Sequence, residues 1–387
     1  RGRRRGHVHS GALARSPVRL RRKDVEASGA SGVLGLGLLL LLAAVLFDAE
    51  SLYVPGIALV VLVALAALWV TAGSVGARVR RRVDARRVME EEPLHAHLDV
   101  RGGPLGLVGA TLDEPLLGPP RRLPAARRQE RLRVSARFSR RGRRELPAPA
   151  LVIGDPLGLM SVRRAADQPP ASVLVLPRIE PVVLARSTGA DGTALGGRRS
   201  ASGAAEVELD GLRPAQPDAP ASRIHWPALA RGQGLVERRL LPEADARPLI
   251  VLDPRGGEPE LLDQAVRATA SLAVHLARHG GCGLLLPGDR RPTPLNADLQ
   301  GWIALHVRLA LLSDDGAPAF GALNGRRGAV VLVVAQAPER VPRVLLASSA
   351  PRRVLVVPGA MAGRRALFTV AGCTGHDLAR GAVREAA

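Results

Sequence analysis

Two long apolar stretches stand out near the start of the chain. Residues 27–47 and 51–77 contain no Asp, Glu, Lys or Arg, and only the turn Asp48-Ala49-Glu50 separates them. The hydrocarbon core of a bilayer, about 30 Å thick, needs ~20 helical residues at a rise of about 1.5 Å each. The pattern therefore predicts a two-helix transmembrane hairpin. A cleaved signal peptide is the competing interpretation of the first stretch, but no small-x-small cleavage site follows Phe47.

The soluble chain after the hairpin changes its hydrophobic period once. Residues 88–185 show short alternating stretches between Gly- and Pro-rich turns, which predicts a β-sandwich-like domain. From residue 248 onward, apolar runs alternate with helical patterns. The predicted strands are 249–252, 283–286, 329–335, 354–357 and 367–370, and the predicted helices are 258–279 and 296–312, the second capped by Asn296. Continuous runs of β-branched residues and Leu are typical of parallel strands covered on both faces, so we predict a parallel-sheet α/β domain.

These patterns give a multi-domain organisation. A Gly/Ser/Thr-rich stretch that cannot bury a core is expected to be a flexible linker between the two soluble domains. In order, we predict a basic N-terminus at 1–26, two transmembrane helices within 27–77, the β domain at 88–185, the linker at 186–205, and the final region at 206–387.

The charge of the chain supports the membrane interpretation. The formal net charge is +20, from 55 basic and 35 acidic residues, and residues 1–87 hold 15 of the basic and 5 of the acidic ones. Half of the net charge thus flanks the apolar stretches. The positive-inside rule then predicts that both termini and the soluble domains face the cytoplasm, with the hairpin in the cell (inner/cytoplasmic) membrane. We expect these arginines to contact lipid headgroups.

A nucleic-acid-binding membrane protein that uses arginine-rich surfaces is the alternative. Aromatic residues make up only 2% of the chain, which leaves little material for base stacking, and we therefore expect no nucleic-acid partner.

Composition also argues against several enzyme classes. Lys23 is the only lysine, so no Walker A lysine or Schiff-base lysine is available. Cys282 and Cys373 are too few for a Cys-rich zinc site, and we expect no cofactor, no metal and no catalytic residues.

Two histidine pairs are candidate metal ligands. His95 and His97 share one strand face, but no third ligand is evident nearby, so we interpret them as surface histidines. His275 and His279 lie four apart on one face of the predicted helix, but Leu276 occupies the position where a zinc protease would carry Glu. We interpret this second pair as favourable charge near the end of the helix.

Residues 206–246 carry a polar segment of unusual composition. It reads Asp210-Gly211-Leu212-Arg213, then Asp218, then Arg223-Ile224-His225-Trp226-Pro227-Ala228-Leu229-Ala230-Arg231, then Val236-Glu237. This signature segment resembles the signature of the bacterial family called domain of unknown function 58. Upstream, Arg140-Arg141-Gly142 and Asp155-Pro156-Leu157-Gly158-Leu159 are similar to two further elements of that family. Ala215 and Pro217 depart from it, since an aromatic residue and a glycine are usual there.

The resemblance implies a C-terminal domain similar to a von Willebrand factor A domain. Such domains bind Mg²⁺ through Asp-x-Ser-x-Ser after the first strand, where this chain has Asp253-Pro254-Arg255-Gly256-Gly257. We therefore expect a degenerate metal site in which Asp253 pairs with an arginine or caps the next helix. The resemblance also implies a non-enzymatic, membrane-anchored adaptor or assembly factor that works with a MoxR-type AAA+ ATPase and other membrane proteins.

The role of the signature residues stays open between three possibilities. They form a structural ion-pair network, a surface that docks a partner, or a catalytic centre, and the third lacks a nucleophile with a nearby base. The residues concerned are Asp210, Gly211, Arg213, Asp218, Arg223, Ile224, Trp226, Ala230, Arg231 and Glu237.

Overall fold

A computed structural model of the chain forms two compact units, Arg1–Val175 and Leu176–Ala387. It describes residues 23–27, 29–125, 127–185, 209–214, 226–232, 234–240, 247–326, 328–336, 341–361 and 363–378. The predicted linker at 186–205 lies outside the described residues.

The predicted pair of apolar helices is present at the start of the first unit. Helix α1 spans Ala30–Phe47, a 3₁₀ turn spans Glu50–Leu52, and helix α2 spans Tyr53–Ser74. At 18 and 22 residues the helices are about 27 and 33 Å long, and both are long and apolar enough to cross a membrane.

The two helices approach closely at glycines. A Cβ on Gly56 would lie 2.8 Å from Cγ of Leu41, and a Cβ on Gly37 would lie 3.2 Å from the carbonyl oxygen of Gly56. Small residues at the crossing therefore let the two backbones approach closely, as small residues also do between membrane-spanning helices.

Short strands form the rest of the first unit. Their bounds are β1 Lys23–Glu26, β2 Arg78–Val83, β3 Arg87–Met89, β4 Leu94–Arg101, β5 Ala110–Asp113, β6 Arg121–Arg122, β7 Gln129–Ala136, β8 Gly142–Leu146, β9 Ala150–Gly154, β10 Ser161–Ala165 and β11 Ala171–Leu176. They make three sheets, in the orders β1-β10-β9-β5-β6, β3-β11-β8 and β2-β4-β7. Strands from all three contribute buried side chains to one hydrophobic core, including Leu98, Leu112, Leu151 and Val173. After the two helices, the strands of this unit begin with β2 at Arg78, ten residues before the predicted start of the β domain.

The outer ends of both helices attach to the β sheets. The backbone N–H of Ala30, the first residue of α1, donates to the carbonyl oxygen of Leu159, 3.2 Å away in the turn between β9 and β10. At the end of α2, the backbone of Gly103 lies so close that an added Cβ would collide with the carbonyl oxygen of Gly73. Strand β1 pairs with β10, although it falls in the region predicted as a basic N-terminus. The last residues of that region therefore belong to the β sheets of the first unit, which we call the β unit.

The second unit contains an eight-stranded sheet, a separate hairpin and four α-helices among its described residues. Its strands are β12 Val183–Leu184, β13 Leu209–Pro214, β14 Val236–Leu240, β15 Leu249–Asp253, β16 Cys282–Leu285, β17 Thr293–Leu295, β18 Val330–Val334, β19 Arg353–Pro358, β20 Phe368–Val370 and β21 Cys373–Asp377. Its helices are α3 Trp226–Ala230, α4 Pro259–Arg278, α5 Trp302–Ala310 and α6 Arg343–Ala347, with a 3₁₀ turn at Phe320–Leu323. The large sheet has the order β12-β20-β21-β19-β18-β15-β16-β17, and β13 pairs with β14 in the hairpin.

The large sheet is mixed, whereas we predicted a parallel one. Strands β16, β15, β18 and β19 run parallel, but β17, β20 and β21 are antiparallel to their neighbours. The connection from β16 to β17 is residues 286–292, which is too short for the crossover that a parallel strand would need. The chain therefore turns back and forms a hairpin.

Helix α4 follows its prediction, and helix α5 does not. Helix α4 begins at Pro259 and ends before Gly280 and Gly281, both at positive φ, as the sequence indicated. Helix α5 begins at Trp302 rather than at residue 296, because residues 293–295 pair with β16 and because Leu299 and Gly301 have positive φ. The predicted cap Asn296 instead accepts a hydrogen bond from Nη1 of Arg247 at 2.5 Å.

Both faces of the large sheet are covered. Helices α4 and α5 contribute to the core on one face, and the 3₁₀ turn and α6 contribute to the core on the other. Every residue of β18 and β19 is buried, which confirms the prediction made from their continuous apolar runs. Strand β12 pairs with β20, so residues up to 185 that we assigned to the β domain include a strand of this second sheet.

Candidate functional site

The signature segment is described in part. Strands β13 and β14 form an antiparallel pair in which Arg213 is the Cα partner of Glu237. The register shifts between Leu209 and Gly211, which leaves Asp210 as the extra residue of a bulge. Three predicted site residues, Asp218, Arg223 and Ile224, lie outside the described residues.

The described helix of this segment presents apolar residues to solvent. Trp226, the first residue of α3, is 55% exposed, and Leu229 and Leu235 are exposed as well. Ala230 and Arg231, at the end of the helix, are also exposed. In a packed structural network Trp226 would be expected to be buried, so its exposure favours a surface that meets another molecule.

Asp253 lies at the carboxyl end of β15, where α/β sheets commonly hold ligands. Its two carboxylate oxygens accept hydrogen bonds from Nε and Nη2 of Arg255, at 2.8 and 2.9 Å. The guanidinium carbon of Arg255 also lies 5.7 Å from the ring centroid of Phe320. The side-chain hydrogen bond to Asp253, and then its negative charge, raise the pKa of Arg255. The expectation that Asp253 pairs with an arginine is confirmed.

The loop after Asp253 packs tightly against the neighbouring strand. The backbone N–H of Ala335 donates to the carbonyl oxygen of Asp253 at 3.0 Å, and an added Cβ on Gly257 would lie 2.6 Å from the carbonyl oxygen of Ala335. The chain therefore fills the space beside Asp253 with its own backbone and with the Arg255 guanidinium. In the described parts of the chain, no group of three or more His, Cys, Asp or Glu side chains could hold a metal ion.

Three of the four histidines in the two candidate pairs lie close to a partner group. The rings of His275 and His279 lie 4.4 Å apart, and Nδ1 of His279 is 2.7 Å from the carbonyl oxygen of His275. Burial, and then the nearby His279, lower the pKa of His275. We expected favourable charge at the end of this helix, but the lowered pKa means that His275 supplies little charge at neutral pH. In the other pair, Nε2 of His97 lies 3.6 Å from a carboxylate oxygen of Asp84.

Among the described residues, a concentration of positive charge lies on the outer face of the sheet β2-β4-β7. The strand register places three rows of side chains across this face: Arg78, Arg101 and Gln129 in the first, Arg80, Asp99 and Arg131 in the second, and Arg82, His97 and Arg133 in the third. Together with Asp84 they line a concavity of about 720 Å³. We call this surface the arginine face.

The arginine face keeps most of its positive charge unpaired. Six arginines stand against Asp84 and Asp99, and Nε of Arg131 lies 3.2 Å from Asp99. Among the described residues, no acidic side chain lies within ion-pairing distance of the other five arginines. Like charges across neighbouring strands cost roughly 0.2–1 kcal/mol per pair, so folding alone does not favour the opposition of Arg78 and Arg101.

Sequence reasoning found only one edge of this surface. The arginines at 78–87 were interpreted as a topology signal and as contacts to lipid headgroups, and Arg101, Arg131 and Arg133 were not singled out. Their signal was the period of two in Arg78-x-Arg80-x-Arg82 and Arg131-x-Arg133, which places each set on one face of a strand. The register that joins the two sets across β4 could not be read from the sequence.

Comparison with known proteins does not test the predicted family resemblance. No protein-family model matches this chain, and no curated protein has significant similarity to it.

Proposed function

We propose that this protein is a membrane-anchored, non-enzymatic adaptor in which the chain after the two helices faces the cytoplasm. The observation that carries the anchor is the attachment of both outer helix ends to the same β unit, through Ala30 to Leu159 and through Gly73 to Gly103. If α1 and α2 cross the bilayer, these contacts put both outer ends on one side and the Asp48 turn on the other. The arginines that flank the helices favour the cytoplasm for the outer ends.

Cysteine labelling in intact cells tests this topology. Ala49→Cys, in the turn between the helices, is expected to react with a membrane-impermeant maleimide added outside, and Ala85→Cys, exposed after β2, is expected to stay unlabelled until the cells are opened. The native thiols give a low background, because both are buried and burial raises the pKa of Cys282 and of Cys373 to about 12. Labelling of Ala85→Cys in intact cells would contradict the proposed orientation.

We propose that the second unit is a von Willebrand factor A-like domain that has lost its metal. Its support is a sheet with parallel central strands, and an aspartate at the end of β15 in the position that the resemblance assigns to the metal ligand. The bidentate pairing with Arg255 satisfies that carboxylate within the chain. Such a domain would serve to hold a partner rather than to perform chemistry.

We propose a MoxR-type AAA+ ATPase as the partner and helix α3 as part of the contact. Support comes from the family resemblance and from the exposed Trp226, since exposed aromatic residues often anchor interfaces. Affinity purification of the full chain from native membranes, with and without ATP, is expected to recover an AAA+ ATPase. Trp226→Ala should reduce the recovery at least tenfold, whereas Ile303→Ala, which removes another exposed apolar side chain on α5, should leave it unchanged. Recovery that is equal for both variants, or an absent ATPase, would count against this contact.

A further inference from the structure

The arginine face stands close to the end of helix α2. Arg78 follows Ser74, the last residue of α2, by four residues, which is about 13 Å of extended chain at most. Two residues after Arg101, the backbone of Gly103 packs against the carbonyl oxygens of Gly73 and Val75. The row that contains Arg78 and Arg101 is therefore the row nearest to the helix end.

This distance matches the headgroup layer of a bilayer. Helix α2 is about 33 Å long, slightly more than a hydrocarbon core of about 30 Å, and the headgroup layers add roughly 5–8 Å on each side. If α2 spans the membrane, the row of Arg78 and Arg101 lies at or just beyond the phosphates. The row of Arg82 and Arg133 lies about 13 Å further along the strands, beyond a Debye length of about 8 Å at physiological salt.

The lining of the face fits anionic headgroups better than a macromolecule. A protein partner is usually held by a buried apolar or aromatic centre, and a single-stranded nucleic acid by stacking on aromatic rings. The residues that line this concavity include no aromatic side chain other than the imidazole of His97, and only two apolar ones, Leu98 and Leu132. Guanidinium groups hold phosphate through paired hydrogen bonds, and lipid phosphates would be present at this depth without any further encounter.

We infer that the arginine face binds the anionic phospholipid headgroups of the leaflet into which α2 emerges, mainly through Arg78, Arg80 and Arg101. The inference rests on the membrane-spanning part of the proposed function and not on any protein partner. It adds a lipid site to the anchor: the β unit would be held against the membrane surface by charge as well as by its connection to the helices.

The test compares two matched pairs of substitutions on the same face. The full chain in a non-ionic detergent is titrated with phosphatidylglycerol, and with phosphatidylcholine of the same tails, and bound lipids are counted by native mass spectrometry. An arginine near an anionic surface strengthens binding by about fivefold. The near pair R78Q/R101Q should therefore weaken phosphatidylglycerol binding roughly 25-fold, while the far pair R82Q/R133Q should weaken it about threefold or less. Binding of phosphatidylcholine should be weak in all variants.

Two control experiments accompany this test. A variant that keeps the charges distinguishes a loss of charge from a loss of folding, and competition with an oligonucleotide distinguishes lipid binding from nucleic-acid binding. R78K/R101K keeps both charges but loses the paired hydrogen bonds of the guanidinium groups, so it should bind phosphatidylglycerol less tightly than the wild type and more tightly than R78Q/R101Q. That order shows that the near-pair variant failed through charge rather than through folding. Equal losses for the near and far pairs, or an unchanged near pair, would overturn the inference. So would an oligonucleotide that binds the wild type more tightly than phosphatidylglycerol and displaces it. A failed search for an ATPase leaves this result standing, because purified protein and lipid alone are measured.

Discussion

The buried ion pair between Arg81 and Glu114 provides the sharpest test of how the β unit is held together. Nη1 of Arg81 donates to Oε1 of Glu114 at 2.8 Å, and Nη2 donates to the carbonyl oxygen of Leu146 at 2.8 Å. The two side chains are 3% and 0% exposed. Without Arg81, the described partner of the carboxylate is the backbone N–H of Leu116 at 3.3 Å.

Arg81→Met should destabilise the β unit strongly. Removing one member of a buried pair leaves an uncompensated charge and typically costs about 3–5 kcal/mol. Since about 1.4 kcal/mol is a factor of ten, hydrogen exchange in β2 and β4 should accelerate roughly 100- to 3,000-fold. The double variant Arg81→Met/Glu114→Leu removes both charges and should be less damaged than the single variant, because it leaves no buried charge. It should still be about 1–3 kcal/mol less stable than the wild type, because the Leu146 carbonyl and the Leu116 N–H lose these hydrogen-bond partners.

The defect of Arg81→Met should also depend on pH in a defined direction. Burial raises the pKa of Glu114, and the charge and hydrogen bond of Arg81 lower it, so removal of Arg81 raises it further above the ordinary value of 4.5. Between the unfolded and folded pKa the native state then holds a proton that the unfolded state has released. Stability therefore falls as pH rises through this window, and the defect should be larger at about pH 8 than at about pH 5.

Hydrogen exchange with mass spectrometry on the full chain in detergent measures both effects. Rates at the two pH values are corrected for intrinsic exchange, and peptides from β18 in the second unit serve as an internal reference. The reasoning fails if the single variant exchanges like the wild type, if the double variant is as damaged as the single one, or if the pH dependence has the opposite sign.

Three further predictions concern other parts of the chain. Gly56→Val should lower the free energy of unfolding of the helix pair in detergent by about 1–3 kcal/mol, because the added side chain overpacks against Leu41. Gly35→Val, at a glycine with open space around it, should leave this free energy unchanged. Calorimetric titration of the full chain with Mg²⁺ should show no micromolar binding, because Arg255 already holds the carboxylate at the candidate site; micromolar binding would refute the lost-site interpretation. Cys282 and Cys373 should react with maleimide at about pH 8 roughly 10⁴-fold more slowly than a fully ionised thiol, since pKa values of about 12 leave ~1 thiolate in 10⁴, and urea should restore the reaction.

The sequence predicted elements whose signal is local and strong. Helix α4 combines an amphipathic period with two glycines at its end, and strands β18 and β19 are continuous apolar runs, so each could be placed within a residue or two. The start of α5 could not be placed, because the pairing of Leu295 with Cys282 and the turn at Leu299 override the local helical preference. Long-range pairing decided that boundary.

The candidate sites also differ in whether a local pattern or long-range strand pairing creates them. The pairing of Asp253 with an arginine was predictable, since Asp253 and Arg255 are two positions apart and the guanidinium competes with a metal for one carboxylate. The arginine face was not, because Arg82, His97 and Arg133 become neighbours only through the register of three strands. Charge counted along the chain locates the first strand of this surface and misses the other two.

The arginine face also contrasts with how this unit treats charge elsewhere. Nη2 of Arg163 lies 2.6 Å from a carboxylate oxygen of Asp113, and the buried Arg81 has Glu114. On the outer face of β2-β4-β7, by contrast, Arg78 faces Arg101 at a cost that an acidic residue at either position would remove. A surface that keeps like charges together gains stability when an anionic layer is nearby and loses it when that layer is absent. The β unit should therefore be more stable in anionic bilayers than in neutral ones, and the difference should shrink at high salt, where the headgroup charges are screened.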